Sequence, residues 1–169
     1  GYDTVLFLFK LPTAMTTLKK WLGTISLSDE QNIKAPILDV PVVYEGQDLG
    51  IVAKKTGHRV DEVIEMHSSP IYTVRMVGFS PGFPYLDGLD PRLQIPRKES
   101  PRKRIEPGSV AIGGPHAGVY TVASPGGWHL LGRTELKLFQ PKAAAGLSPA
   151  PKEVFLLSPG DRLRFLPTT

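Results

Sequence analysis

The 169-residue sequence contains no cysteine, and this absence excludes several kinds of chemistry. Without cysteine there is no disulfide framework, no zinc site built from thiolates and no cysteine nucleophile. No apolar run approaches the roughly 20 residues that cross a bilayer, so no transmembrane helix is predicted. No segment resembles a signal peptide, and we therefore expect a cytoplasmic protein. The histidines lack the close spacing of a metal-binding motif, so no metal site is predicted; they are His58, His67, His116 and His129.

An excess of charge of one sign is also missing. The chain has 20 Lys and Arg against 16 Asp and Glu, for a net charge of +4. Such a surface favours anionic partners but is too weakly basic to predict nucleic-acid binding. What the sequence does have is 17 glycines and 17 prolines, which interrupt helical hydrogen bonding. A mostly β protein with many turns is therefore predicted.

Short strands separated by turn residues dominate the chain after residue 35. The first lies at residues 37–44, where Pro41 indicates an edge position. Two short helical patterns follow, at residues 49–53, ended by Gly57, and at residues 60–67. Strands at this spacing, with only two short helices, predict a closed or nearly closed β-barrel. The later predicted strands are Tyr72–Phe79, Ser109–Gly113, Gly118–Ala123, Trp128–Leu131, Glu135–Phe139 and Asp161–Leu166.

The chain before residue 35 has a different character. An apolar run at residues 4–9 predicts a buried strand, and apolar residues recur at helical spacing between residues 15 and 22. One strand and one helix do not bury each other well enough to stand alone. We therefore expect the end of a domain whose beginning is missing, or a segment that packs on the rest. Residues 1–34 form this part with a polar linker at 26–34, and residues 35–169 form the barrel, which includes a low-complexity loop at 141–152.

The densest motif is the segment Gly78–Leu86, in which three aromatic residues alternate with two prolines and two glycines. Proline fixes φ and glycine permits bends, so the rings of Phe79, Phe83 and Tyr85 are held on a stiff, irregular backbone around Pro81. This arrangement suits the wall of a pocket or a partner-binding surface. The alternative is a loop that packs its own rings as a small satellite core.

A basic segment at residues 92–104 carries a single acidic residue. Arg97 and Arg102 each follow a proline, and a stiff chain favours bidentate capture of a carboxylate or phosphate. A solvated basic loop is the alternative for these residues. Arg133 follows the predicted strand that starts at Trp128 and is a further candidate for the anion-binding set, while Trp128 is core or pocket wall.

Three further candidates come from a glycine-rich turn and a helix end. The turn around Gly113, Gly114 and His116 lacks the Gly-Lys-Ser/Thr of a phosphate loop and is followed by a strand, so a hairpin is the better interpretation. Its backbone amides are still a candidate anion nest. His67, with Ser68 beside it, is either a general base or a histidine that caps the end of its helix.

Taken together, these motifs resemble one bacterial family. It contains the B component of 5-oxoprolinase, the inhibitor of the sporulation sensor kinase, and proteins labelled allophanate hydrolase subunit 1. The resemblance runs from about Ala35 to Pro167, with the motifs in the family's order and at similar spacing. The matching segments are His67–Ser69, Gly78–Leu86, Pro96–Arg97, Pro101–Arg102, Gly108–Val110, Ile112–Gly114, Pro125–Trp128 and Pro159–Phe165.

The resemblance implies a cyclophilin-like β-barrel preceded by a small α/β domain, of which residues 1–23 resemble the last strand and helix. It also implies a second barrel subunit, and a third, which together open 5-oxo-L-proline to glutamate with hydrolysis of ATP. Whether ATP binds this chain or its partner stays open. Carried onto this sequence, Arg97, Arg102 and Arg133 would clamp a carboxylate or phosphate and His67 would move a proton. The pocket walls would be Phe79, Pro81, Phe83, Tyr85 and Trp128.

Two other functions compete with an enzyme subunit. In the first, the aromatic segment docks on the dimerisation domain of a sensor histidine kinase and inhibits it. In the second, the barrel is a prolyl isomerase, which we disfavour because a fold does not carry a function and no cyclophilin catalytic signature is visible. Hydrolysis of allophanate is disfavoured too, because no nucleophile constellation for it is found in the sequence.

Overall fold

A computed structural model describes residues 15–24, 36–144 and 150–169 and divides the chain into two compact units, residues 1–35 and 36–169. In the first unit the described element is helix α1, Met15–Leu22, which confirms the helical spacing seen there. The predicted strand at 4–9 and the linker at 26–34 lie outside the described residues.

The second unit is built mostly of strands, as predicted. Its strands are β1 (Ile37–Val43), β2 (Tyr72–Val77), β3 (Pro84–Asp87), β4 (Arg102–Ile105), β5 (Ser109–Gly113), β6 (His116–Val119), β7 (Ser124–Gly126), β8 (His129–Arg133) and β9 (Arg162–Thr168). Its α-helices are α2 (Leu49–Thr56), α3 (Val60–Ser68), α4 (Pro141–Ala144) and α5 (Pro151–Val154), and a 3₁₀ turn spans Pro91–Leu93.

Seven of these strands close into a barrel in the order β1-β8-β5-β6-β3-β2-β9, and the predicted closed barrel is thus confirmed. Strand β1 runs parallel to β9 along its whole length, from the pair Ile37 and Arg162 to the pair Val43 and Thr168. Its pairing with β8 is confined to Val43. Pro41 is therefore not in an open edge strand, but it lies where β1 has no ladder partner in β8, which suits a residue without an N–H group.

Alternating side chains of the barrel strands fill its interior, and α2 and α3 pack against the same core. Helix α2 ends at Gly57 in the left-handed conformation (φ 73°), as its sequence pattern predicts. The largest buried side chains of this core include Tyr72, Leu86, Leu93, Ile112, Leu131, Leu163 and Phe165.

The remaining strands, β4 and β7, pair with each other as a separate two-stranded ribbon. Between the ribbon and the outer face of the barrel lies a second apolar cluster, made of Phe83, Ile105, Ala111, Tyr120, Trp128 and Leu130. Sequence reasoning missed the short strands β3, β4 and β7, because prolines or charged residues disguise their alternation.

Two predictions near the carboxyl-terminal part were wrong. Residues 135–139 do not form a strand; their only described pairing is an isolated bridge between Phe139 and Phe155. Their alternation reflects Leu136 and Leu138, which pack on the barrel core from a connecting segment. The predicted loop at 141–152 contains the one-turn helix α4 and the first two residues of the one-turn helix α5, and residues 145–149 lie outside the described part.

Candidate functional site

The second cluster occupies the outer face of β3, β5, β6 and β8, because successive side chains of a strand point to opposite faces. In β5, for example, Val110 and Ile112 lie in the barrel core whereas Ala111 lies outside. In β8, Leu131 points inward and Leu130 outward. The barrel wall thus serves as the floor of a site outside it.

Four rings form the body of this cluster and meet edge to face, the arrangement that aromatic quadrupoles favour. Phe83 is at its centre, with ring centroids 5.1 Å from Tyr120, 5.2 Å from Tyr85 and 5.3 Å from Trp128. Tyr85 and Trp128 are themselves 5.7 Å apart. Burial raises the pKa of the Tyr120 hydroxyl. The four rings therefore pack against one another as a single cluster.

Glycines in the floor let these rings approach the backbone. A Cβ built on Gly118 would lie 2.8 Å from the Phe83 ring and from the Pro84 carbonyl oxygen. A Cβ built on Gly113 would lie 2.8 Å from the Trp128 indole. Because real Cβ atoms do not come this close to other heavy atoms, any side chain at either position would displace a ring.

Phe79 sits at the rim of the cluster in an unusual conformation. Its φ is 68°, and among the described residues it is the one residue other than glycine with a positive φ. A bulky side chain in this region is strained by about 1–3 kcal/mol. Its ring is 60% exposed and meets the Phe83 ring edge-on at 5.6 Å. The backbone thus holds an aromatic ring out toward solvent at a conformational cost.

A charged side chain closes the cluster from the other side. The Arg97 guanidinium carbon lies 5.4 Å from the centroid of Trp128, a cation–π distance. Arginine and rings together line a small pocket of about 60 Å³. Its lining residues are Phe79, Phe83, Tyr85, Arg97, Tyr120, Gly126, Gly127 and Trp128. This aromatic pocket, with one cation over an indole, is the candidate site.

Both neighbours of Arg97 in the chain are tied to the barrel. His129 Nε2 donates to the carbonyl oxygen of Pro96 at 2.9 Å. The backbone amide of Lys98 donates to the carbonyl oxygen of Gly127 at 2.7 Å, and its Nζ lies 3.0 Å from the Asp48 carboxylate. The pocket therefore receives Arg97 from a segment fixed on both sides.

Arg102, predicted as a substrate clamp, is engaged elsewhere. Its Nη2 donates to Asp48 Oδ1 at 2.8 Å, and the Asp48 carboxylate also accepts from the Leu130 amide at 2.8 Å. Burial opposes ionisation of Asp48, but the hydrogen bonds from Arg102, Leu130 and Lys98 outweigh it and lower its pKa to about 2. Asp48 was not singled out in the sequence, where it resembles an ordinary helix N-cap.

The structure does not bring His67 to this pocket. The side chain is fully buried in the barrel core, where it stacks on Phe165 at 4.6 Å. Its Nδ1 lies 2.7 Å from the Tyr44 hydroxyl, and its backbone carbonyl oxygen accepts from the Tyr72 hydroxyl at 2.8 Å. Burial lowers the pKa of His67 to about 3. A neutral, water-excluded imidazole in this position packs the core.

Other predicted site residues lie near the pocket or away from it. His116 packs edge-on against Tyr85 at 6.1 Å, with its Nδ1 3.1 Å from Asp87 Oδ1. The Gly114 amide donates to the Ile95 carbonyl oxygen, and Gly113, in strand β5, lies against the Trp128 indole in the pocket floor.

Arg133 and Pro81 line other depressions of the surface. Arg133 is exposed, with its Nε 3.2 Å from Glu135 Oε1. Pro81 borders an apolar groove beside Phe155, and its carbonyl oxygen accepts from Thr121 Oγ1 at 2.5 Å. Of the site residues predicted from the sequence, Arg97 and the rings of Phe79, Phe83, Tyr85 and Trp128 line the pocket.

Two further findings concern the described residues. Nowhere in the ranges 15–24, 36–144 and 150–169 do three or more metal-ligating side chains gather into a cluster. The helices in these ranges are all too short or too polar to cross a bilayer.

Comparison with known proteins places these observations in a family. The sequence pattern of the carboxyltransferase domain, subdomain C and D, matches residues 1–148. The B-type subunit of the 5-oxoprolinase of Escherichia coli O157:H7 is 43% identical over 157 residues, which cover 91% of this chain and 67% of that protein. The chain spans between 50% and 67% of the lengths of the three 5-oxoprolinase B-type subunits that it matches.

Solved structures share the fold. A conserved uncharacterized protein from Pyrococcus horikoshii matches with a TM-score of 0.69 and 41% identity, over 78% of this chain and 59% of that one. The urea amidolyase of Kluyveromyces lactis matches with a TM-score of 0.66 and 26% identity, over 79% of this chain and 9% of that one. These likenesses agree with the barrel described above.

Proposed function

Because the chain belongs to the family of carboxyltransferase domains, subdomains C and D, we propose that it forms part of the B-type subunit of an ATP-dependent 5-oxoprolinase. The names of its relatives support a subunit of an amide-opening complex. In this proposal the chain acts in the cytoplasm with a second barrel subunit and a third subunit, and ATP is bound by, or shared with, the partner.

The observation that carries the proposal is the aromatic pocket closed by Arg97. The substrate, 5-oxo-L-proline, is a small five-membered lactam with one carboxylate. A guanidinium stacked on an indole keeps its in-plane N–H donors for a bidentate bond to a carboxylate. The rings of Phe79 and Tyr85, which also line the pocket, are then the apolar walls for the lactam ring.

The chemistry explains why such a complex uses ATP. A lactam is a poor electrophile, and transfer of the γ-phosphoryl group to its oxygen creates a leaving group. The lactam, ATP and two water molecules then give glutamate, ADP and phosphate. We assign this chain to binding and orientation of the lactam. His67 has no part in the proposal, because it is buried in the barrel core and does not line the pocket.

The test is steady-state kinetics of the complete complex, with ATP-dependent formation of glutamate as the readout. Arg97→Ala should raise the KM for 5-oxoproline by about ten- to a hundredfold, since a hydrogen bond between charged groups contributes about 1.5–3 kcal/mol. The matched control is Arg104→Ala, which removes an exposed arginine paired with Glu106 on the ribbon. Unchanged KM in Arg97→Ala, or no glutamate from the wild-type complex, contradicts the proposal.

One observation favours a second candidate function. Phe79 presents an apolar ring to solvent on a strained backbone, which suits docking to another protein. The alternative is inhibition of a sensor histidine kinase through this ring. Affinity capture with the full-length protein separates the two, because a second barrel-type protein as the bound partner supports the enzyme and a histidine kinase supports the inhibitor.

A further inference from the structure

Asp48 is the most buried carboxylate near the pocket, although it does not touch the pocket itself. Its side chain is 1% exposed and lies at the N-terminus of α2. An aspartate at this position ordinarily accepts hydrogen bonds from the first amides of its own helix, but Asp48 makes no such cap. Its carboxylate is turned instead toward other parts of the chain.

Three donors from distant segments converge on this carboxylate. Lys98 Nζ is 3.0 Å from Oδ1, Arg102 Nη2 is 2.8 Å from Oδ1, and the Leu130 amide is 2.8 Å from Oδ2. The Asp48 amide in turn donates to the Leu130 carbonyl oxygen at 3.0 Å. One side chain thus joins strand β8, the start of strand β4 and the segment that carries Arg97.

A buried carboxylate held by three donors resists displacement, because moving any one donor away breaks a hydrogen bond to a buried charge where water does not replace it. Lys98 is the residue next to Arg97 in the chain, so fixing the Lys98 side chain restricts where the neighbouring guanidinium can lie. No comparable tie acts on Arg104, whose partner Glu106 is exposed.

We propose that Asp48 is the positioning residue of the aromatic pocket, which holds Arg97 over Trp128 through Lys98 and Arg102. It acts through these cations and does not touch the substrate. The inference concerns the site of the proposed function and rests on that function for its kinetic readout only. In this proposal Arg102 and Lys98 bind the Asp48 carboxylate rather than an anionic ligand.

The kinetic test uses Asp48→Asn in the complete complex, with Glu106→Gln as a control that makes the same charge change on the exposed ribbon. Asp48→Asn should raise the KM for 5-oxoproline about tenfold with a smaller change in kcat, from the loss of one charge-assisted hydrogen bond to the Arg97 segment. In the double variant with Arg97→Ala, the KM should equal that of Arg97→Ala alone. Additive effects would overturn the positioning role.

A second readout does not depend on activity. In a Trp21→Phe background Trp128 is the remaining tryptophan of this sequence, and it is 4% exposed. Acrylamide should quench its fluorescence more strongly in Asp48→Asn, with the quenching constant shifted toward that of Arg97→Ala. Glu106→Gln should keep the wild-type constant. Wild-type quenching in Asp48→Asn overturns the inference.

Should Asp48→Asn fail to fold, Lys98→Met removes only the Lys98–Asp48 ion pair. It should disturb the fold less, because Arg102 and the Leu130 amide still donate to the carboxylate. It should shift the quenching constant in the same direction, and no shift overturns the inference. If the wild-type complex does not open the lactam, the proposed function fails. The quenching comparison still decides whether Asp48 positions Arg97.

Discussion

Replacing His67 with glutamine should remove a pH dependence from the stability of the barrel. His67 is fully buried, and its folded-state pKa is about 3 against an ordinary value of 6.5. Well above pH 6.5 neither state is protonated, so the full stability is present. As the pH falls from 6.5 toward 3, the unfolded chain binds a proton that the folded chain does not, and stability is lost.

The magnitude follows from the two pKa values. Between pH 7.5 and pH 5.0 the unfolded His67 becomes almost fully protonated while the folded one stays neutral. At 1.36 kcal/mol per pKa unit this contributes a loss of about 2 kcal/mol in the free energy of unfolding. His67→Gln lacks this contribution, so its deficit relative to wild type should shrink by about 2 kcal/mol on going to pH 5.0.

Urea unfolding followed by circular dichroism at several pH values measures the effect. The matched control is Val63→Ala, a cavity-forming change at a fully buried position of the same helix. It should lower stability by about 1–3 kcal/mol at every pH and keep the wild-type slope. Parallel pH curves for wild type and His67→Gln would refute the reasoning and leave room for the proton-transfer role that the sequence suggested.

Two further predictions concern the pocket. Gly118→Ala should lower the free energy of unfolding in urea by about 2 kcal/mol, because its Cβ would meet the Phe83 ring. The control, Gly50→Ala in helix α2, has open space around the new Cβ and should raise the free energy of unfolding by up to about 1 kcal/mol. Equal effects of the two substitutions would contradict the packing argument. Phe79→Asn should leave stability within about 1 kcal/mol of wild type, since asparagine tolerates positive φ and the lost ring is 60% exposed, while the KM for 5-oxoproline rises. A lower stability at unchanged KM would show that the ring only packs.

Much of the site was visible in the sequence, and the reason is local. Phe79, Phe83 and Tyr85 lie in one short segment whose backbone is restricted by prolines and shaped by glycines. Their rings are therefore expected to lie close together in any fold. Arg97 was selected for the proline before it, and it does line the pocket with these rings. Tyr120 was missed, although it follows a strand whose alternate residues face the cluster.

The sequence could not distinguish the roles of Arg97 and Arg102, because the role of an arginine depends on which groups the fold brings near it. Arg97 and Arg102 have the same local pattern, a proline followed by arginine. One lies over Trp128, and the other binds Asp48, which is 54 residues away in the chain. Only closure of the barrel decides between these outcomes.

The chain's own pattern of glycine, proline and alternating residues was enough to determine a barrel of short strands with few helices, because these preferences act over neighbouring residues. The tertiary structure alone decided which titratable groups lose water. His67 and His58 are both plain histidines in the sequence, yet one is enclosed in the barrel core and the other keeps a side chain that is 26% exposed. Burial and charge pairing are set by segments far apart in the chain, and so the chemistry of the site is a property of the fold.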